Sequence, residues 1–252
     1  MIQKTVETNA IDIMKERLAL AHRIAFLEGL REESGNEHSG HISVRSNNNP
    51  DRFLILGHLH HDGKGLRNAE TEDILTVDLE GRKIEGKHEV VEEIGIHTSI
   101  YKARPEIMSV FHMHPPAAVA LGSTDQKIEM LSMRSTYFAE GVAILDTGPS
   151  VIDTDEIASE MVKKLGNLNA LIHKGHGVVT VGRNLEEACL LGLYLEGSAR
   201  NQILAKRFGG ELKPFSNKSA VEYARTHSLA KRPFLWRYYE NKWKDVDTKG
   251  HR

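Results

Sequence analysis

Cysteine is almost absent from this chain: among 252 residues there is one, Cys189. A lone thiol excludes an internal disulfide framework and any metal site built from several cysteines, and it fits a reducing compartment. An excess of one charge is missing too. The formal net charge of -2 removes the electrostatic case for nucleic acid or an anionic membrane surface as partner. No long hydrophobic run occurs. The opening stretch MIQKTVETNAIDIMKERLALAHRIAFLEGL carries charges through its apolar positions, so it reads as neither signal peptide nor membrane span, and the expected location is cytoplasmic. Without a secretion signal, the sequon at Asn217-Lys218-Ser219 is read as chance. Linkers rich in Pro, Gly or Ser and internal repeats are also lacking. One domain over residues 1–252 is therefore expected, with a helical tail from about 218.

Histidine, by contrast, is plentiful, with 14 residues. Several fall close together: His58, His60 and His61; His112 and His114; His173 and His176. In VFHMHPPAAVAL two histidines stand one residue apart at the end of an apolar run. Side chains alternate along a strand, so His112 and His114 project from one face and both can reach one ion. A catalytic site of the zinc type needs three protein ligands and an open position. HKGHG supplies a third at His176, just before Gly177, where a chain can turn tightly. The alternative is that these are core or surface histidines with ordinary hydrogen bonds. The second histidine-bearing strand end and a carboxylate on the preceding helix weigh toward metal.

Hydrophobic periodicity switches repeatedly between helix and strand. Apolar residues at helical spacing (Ile13, Leu18, Leu20, Ile24, Leu27, Leu30) predict a helix from Ala10 to Glu33. HISVRSNNNPDRFLIL predicts two short strands about a turn at Asn47 to Asp51, and ILTVDLEGRKI a hairpin turning at Glu80-Gly81. VVEEIGIHTSIYKARP is helical and stops before Pro105. IMSVFHMH reads as a buried strand, Ala117 to Leu121 as a helix start and VAILDTG as a strand. DTDEIASEMVKKLG predicts a capped helix, and ALIHKGHGVVTVG two strands around a Lys-Gly turn. Asn184 should cap a long amphipathic helix that Gly209-Gly210 stops. The tail AVEYARTHSLAKRPFLWRYYENKWKD reads as one shorter helical segment; its aromatics either pack or wall a pocket. The class is α/β. GHLHHDGKG is no phosphate loop, since no Ser or Thr follows its Gly-Lys.

EEIGIHTSIYKARPEIMSVFHMHPPAAVAL followed by ALIHKGHGVVTVGRNLEEAC strongly resembles the class II aldolase/adducin family. The shared pattern is a Glu, a His four residues on, Ile-Tyr, Arg-Pro, a strand ending His-x-His-Pro, and later a His-Gly ahead of a Gly-x-x-Leu-Glu-Glu-Ala helix. HISVR resembles that family's Gly-Asn-x-Ser-x-Arg segment, and the likeness covers roughly Ile11 to Gly209. The resemblance implies a single three-layer α-β-α domain around a mixed, largely antiparallel sheet, and a homotetramer with sites near subunit interfaces. It implies one divalent metal per chain on His112, His114 and His176, with zinc first and manganese or iron as alternatives. It places the acid/base carboxylate on Glu93, also a ligand in some members, with neighbouring Glu92 solvated.

Sugar-phosphate aldolases of the family cradle phosphate with Gly-Asn, Thr-Gly and a Ser-Ser pair. Here those positions read Gly40-His41, Gly57-His58 and Val91-Glu92. A phosphorylated substrate is therefore not expected. FLILGHLHHDGK more closely resembles the branch that includes decarboxylases of hydroxylated aromatic acids. The expected function is a metal-dependent carbon–carbon lyase, decarboxylase or aldolase, on a small non-phosphorylated hydroxy/keto or hydroxy-aromatic carboxylic acid. His58, His60, Arg134 and Tyr137 are candidate substrate contacts. The alternatives are an iron-dependent oxygenase of hydroxyaryl-pyruvate type and a non-catalytic, adducin-like protein.

Overall fold

The computed structural model describes residues 2–32, 39–59 and 63–244, with side chains from residue 10 onward. Among them, eight strands form one sheet: β1 (His41–Arg45), β2 (Arg52–Leu56), β3 (Ile74–Asp78), β4 (Lys83–Glu85), β5 (Ser109–Met113), β6 (Ala143–Leu145), β7 (Ala170–His173) and β8 (Gly177–Gly182). Their order is β4-β3-β2-β1-β5-β8-β7-β6. Every neighbouring pair is antiparallel except β6 with β7.

Alternate residues of the strands enter two separate cores, which makes the architecture three-layered. On one face Ile42, Val44, Leu56, Phe111, Met113 and Ile172 pack under α1 (Ile2–Leu27), α3 (Pro116–Gly122) and α5 (Leu185–Arg207). On the other face Phe53, Ile55, Val77, Val110, Leu171 and Val179 pack under α2 (Ile94–Ala103) and α4 (Asp155–Leu165). Sheets covered on both sides read as near-continuous apolar runs, as β2 and β8 do. The imidazoles of β5 interrupt that rule.

Several predicted boundaries move. The first helix runs from Ile2 to Leu27, not from Ala10 to Glu33, and it stops early because Gly29 takes a φ of 78°, a left-handed turn that a side chain would strain. Leu30 is buried all the same, because the turned chain folds back under the core, its amide bonded to the Ala25 carbonyl. Ile13 of the predicted apolar stripe is half exposed. The tail is two helices, α6 (Asn217–Thr226) and α7 (Pro233–Trp243). Pro233 lacks the amide hydrogen that would continue a helix but suits the first turn of a new one. Of the tail aromatics, Trp236 is buried, Tyr239 and Trp243 pack against the α1/α5 core, and Phe234 and Tyr238 face outward.

Candidate metal centre

β1 and β5 pair so that His41 lies opposite His112, and β7 turns into β8 with His173 opposite Gly177. This register carries His176 to the end of β5. Glu93, just ahead of α2, reaches the same point from the covering layer. One ligand atom each from Glu93, His112, His114 and His176 all lie within 4.8 Å of one another. Glu93 Oε2 sits 3.2 Å from His112 Nε2 and 3.4 Å from His176 Nε2. Its other oxygen, Oε1, accepts the Ile152 amide at 2.9 Å, which fixes the carboxylate in place.

The outer ring atoms are also fixed. His112 Nδ1 donates to the Val178 carbonyl at 3.0 Å, and His176 Nδ1 to the Ser150 carbonyl at 3.2 Å. Each bond leaves the Nε2 lone pair facing the cluster, the arrangement in which a backbone carbonyl orients a metal-binding imidazole. Gly177 makes the convergence sterically possible: a Cβ there would stand 2.7 Å from His114 Cδ2, 2.8 Å from the Met113 carbonyl and 2.9 Å from His112 Cε1. All three contacts are closer than carbon tolerates.

Electrostatics favour a cation. Burial pushes the Glu93 carboxyl up, but His112, His176 and His41 outweigh it and hold the group well below the usual carboxylate range. His114 is lowered as well, first by burial and then by His112 and His176, and for an imidazole that keeps the ring neutral. His176 is raised: burial lowers it, and the Glu93 carboxylate more than offsets that. Buried imidazole nitrogens normally have partners. Here His112 Nε2 and both nitrogens of His114 make no hydrogen bond. Three nitrogens and a carboxylate oxygen suit zinc, manganese or iron(II), and an ion would satisfy the orphaned atoms. The residues fit a divalent metal.

The cluster lies in the wall of a cleft of about 1100 Å³ whose lining includes Gly40, His41, Gly57, His58, Val91 and Glu92. All three altered cradle positions thus face the cleft. Glu93 is buried and Glu92 exposed. His58 is half-buried at the rim, and His60 lies outside the described residues. Arg134 and Tyr137 do not reach the cleft within one chain. The Arg134 guanidinium sits 5.2 Å from the Tyr194 ring centre, and Tyr137 donates to the His227 carbonyl beside a second cavity. His173 is bonded through Nε2 to the Thr147 hydroxyl at 2.7 Å and stands behind His176. Nothing in the sequence marks the Ile152 amide or the Ser150 carbonyl; His97 stands in the helical period and in the family pattern, four residues beyond Glu93, but neither gives it a role.

Residues 16–203 match the family described as "Class II Aldolase and Adducin N-terminal domain", and the chain belongs to that family. It is 27% identical over 217 residues to a 3,4-dihydroxyphthalate decarboxylase of Arthrobacter keyseri, covering 82% of this chain and 85% of that one. A 4-hydroxy-3-prenylphenylpyruvate oxygenase/4-hydroxy-3-prenylbenzoate synthase of Streptomyces roseochromogenus subsp. oscitans is 27% identical over 140 residues, covering 55% and 50%. Among solved structures, an L-fuculose 1-phosphate aldolase from Glaciozyma antarctica PI12 superposes with a TM-score of 0.79 at 24% identity over 95% of this chain and 93% of that one. That last likeness concerns the fold. Family and decarboxylase relatives together support a lyase-type activity.

Proposed function

We propose that this protein is a divalent-metal-dependent carbon–carbon lyase that decarboxylates a non-phosphorylated hydroxy-aromatic carboxylic acid. The observation that carries the reading is the Glu93/His112/His114/His176 cluster opening onto a cleft with an altered phosphate cradle. A phosphate needs several donors at once, and a buried polar group left unbonded costs about 1–3 kcal/mol. Val91 offers no such donor, and Glu92 offers an acceptor with a negative charge. The decarboxylase relative supports the same class, because it matches most of both chains.

His112, His114 and His176 would hold the metal, with Glu93 beside or on it. Bound there, a divalent cation acts as a Lewis acid that stabilises negative charge developing on an adjacent substrate oxygen. Glu93 Oε2, kept ionised, accepts the proton of the substrate hydroxyl. Glu93 returns that proton to the ring carbon that bears the carboxylate, which interrupts the ring's aromaticity. The bond from that carbon to the carboxylate then breaks, carbon dioxide leaves, its electron pair restores the aromatic ring as a phenolate, and water reprotonates the oxygen as product departs. Aldol cleavage of a hydroxy-keto acid makes the same electronic demand. The oxygenase alternative rests on a relative that shares about half of each chain, and a non-catalytic role leaves the orphaned nitrogens unexplained. A cytoplasmic homotetramer belongs to the same reading.

The test is incubation of metal-loaded protein, without oxygen, with hydroxybenzoates and dihydroxyphthalates, with carbon dioxide as readout. Release without oxygen supports the lyase; an absolute need for oxygen supports the oxygenase. Efficient cleavage of fuculose 1-phosphate, at a kcat/KM of about 10⁴ M⁻¹s⁻¹ or more, would overturn the substrate class.

A further inference from the structure

Behind the metal cluster runs a second line of polar side chains that this chemistry does not use. His41 Nδ1 meets His97 Nε2 at 2.7 Å, His97 Nδ1 meets Ser43 Oγ at 2.6 Å, and Ser43 Oγ meets Tyr101 Oη at 2.7 Å. All four residues are buried. β1 presents His41 and Ser43 on one face, and α2 presents His97 and Tyr101 one turn apart, so the two rows interlock. The Phe53 ring stacks on His97, and Arg45 pins the helix end through the Tyr101 carbonyl at 2.6 Å.

In such a row each link has one hydrogen, so its direction at one end fixes the direction at the other. Ser43 Oγ is the one hydrogen-bond partner of the buried Tyr101 oxygen among the described residues, and a buried phenol hydrogen needs an acceptor, so that hydrogen goes to Ser43. Ser43 then donates to His97 Nδ1, and His97 donates from Nε2 to His41 Nδ1. Burial pushes His97 down to about 3, so it is neutral and has a single hydrogen to give. His41 is left with its hydrogen on Nε2. That atom stands at the cleft wall, 3.9 Å from Glu93 Oε2, without a hydrogen bond.

Resting on the lyase reading for the substrate's identity, we propose that the His97–Ser43–Tyr101 relay holds His41 as an obligatory hydrogen-bond donor, and that His41 Nε2–H selects a substrate carboxylate at this end of the cleft. His41 touches substrate; His97, Ser43 and Tyr101 are positioning residues. The relay makes the site discriminate by acceptor chemistry, since a group that can only donate rejects a ligand lacking an acceptor there.

Two measurements test this. Neutron diffraction on crystals of the parent protein should place the hydrogen of His41 on Nε2 and that of His97 on Nε2; a hydrogen on His41 Nδ1 overturns the proposal. Calorimetry on the metal-loaded protein should show 3,4-dihydroxybenzoate binding more tightly than catechol, which lacks the carboxylate. His97→Leu should shrink that margin by about tenfold, the worth of one hydrogen bond, whereas His97→Gln, which still donates toward His41, should keep it. An unchanged margin in His97→Leu overturns the proposal. Should that variant not fold, Ser43→Ala is expected to shrink the margin in the same direction. His41→Gln should retain its metal, and loss of metal there would make His41 a ligand instead. A parent that binds neither compound counts against the lyase reading, while the neutron map still decides the relay.

Discussion

His22 and His114 are both buried imidazoles, yet the chain treats them in opposite ways. His22, in α1, donates through Nδ1 to the Leu18 carbonyl at 2.7 Å and accepts the Ile42 amide on Nε2 at 2.8 Å. It joins helix to sheet and has nothing left over. His114 is nearly as buried and has neither nitrogen satisfied; His112 has one satisfied and one not. A buried polar atom without a partner costs stability. Where such atoms converge beside an ionised carboxylate, the compensation comes from something that binds there. Burial alone does not separate a structural histidine from a ligand, and neither does one unbonded nitrogen, since His173 Nδ1 has no partner either. What separates them is convergence on one point with a carboxylate, which His112, His114 and His176 share with Glu93 and His173 does not.

The largest effect expected from this contrast is at His114. His114→Ala should lose most of the metal and essentially all turnover while the fold survives, since no protein hydrogen bond is broken. His173→Ala, which removes an imidazole already bonded to Thr147, should retain metal. Metal analysis of the two purified variants decides the matter, and loss in His173→Ala would move the third ligand there.

Next in size is Glu93. Glu93→Gln keeps the shape and an oxygen near the cluster but carries no proton, so metal should stay bound while turnover falls about 10²-fold or more. Glu92→Gln, exposed on the same segment, should behave almost like the parent. Equal effects would demote Glu93 to a ligand at most. Smaller again is Gly177→Ala, whose Cβ would displace the His112 and His114 rings. Metal affinity should weaken about tenfold, as for loss of a partner that orients a ligand, and competition with a chelator would measure it.

The structural histidine should show itself through pH. Burial lowers His22 to about 4, so between that value and about 6.5 the unfolded chain binds a proton that the folded one refuses. The contribution is fully present above about pH 6.5 and is lost as pH falls through about 4. Denaturant melts should therefore show stability declining across this window. His22→Leu should flatten the decline and, by leaving the Ile42 amide unpaired, cost about 1–3 kcal/mol at neutral pH. A decline of undiminished slope in that variant would assign the acid sensitivity elsewhere.

By itself the sequence determined the parts governed by local rules. A strand's period of two puts His112 and His114 on one face, Pro105 stops α2, Asn184 caps α5, and the absence of further cysteine leaves histidine and carboxylate as the ligand types. The family pattern added Glu93 and His176, which no local rule joins to β5. Only the tertiary structure decided the rest. Gly29 cut the first helix short and Pro233 divided the tail, because backbone conformation at single residues overrides an apolar stripe. The Glu93 carboxylate is held by an amide 59 residues away. The link from His41 to His97 depends on strand β1 and helix α2 packing in one register. Such contacts join residues far apart in the chain, and hydrogen bonds of this kind have no sequence period to reveal them: they exist once the sheet has set which side chains meet.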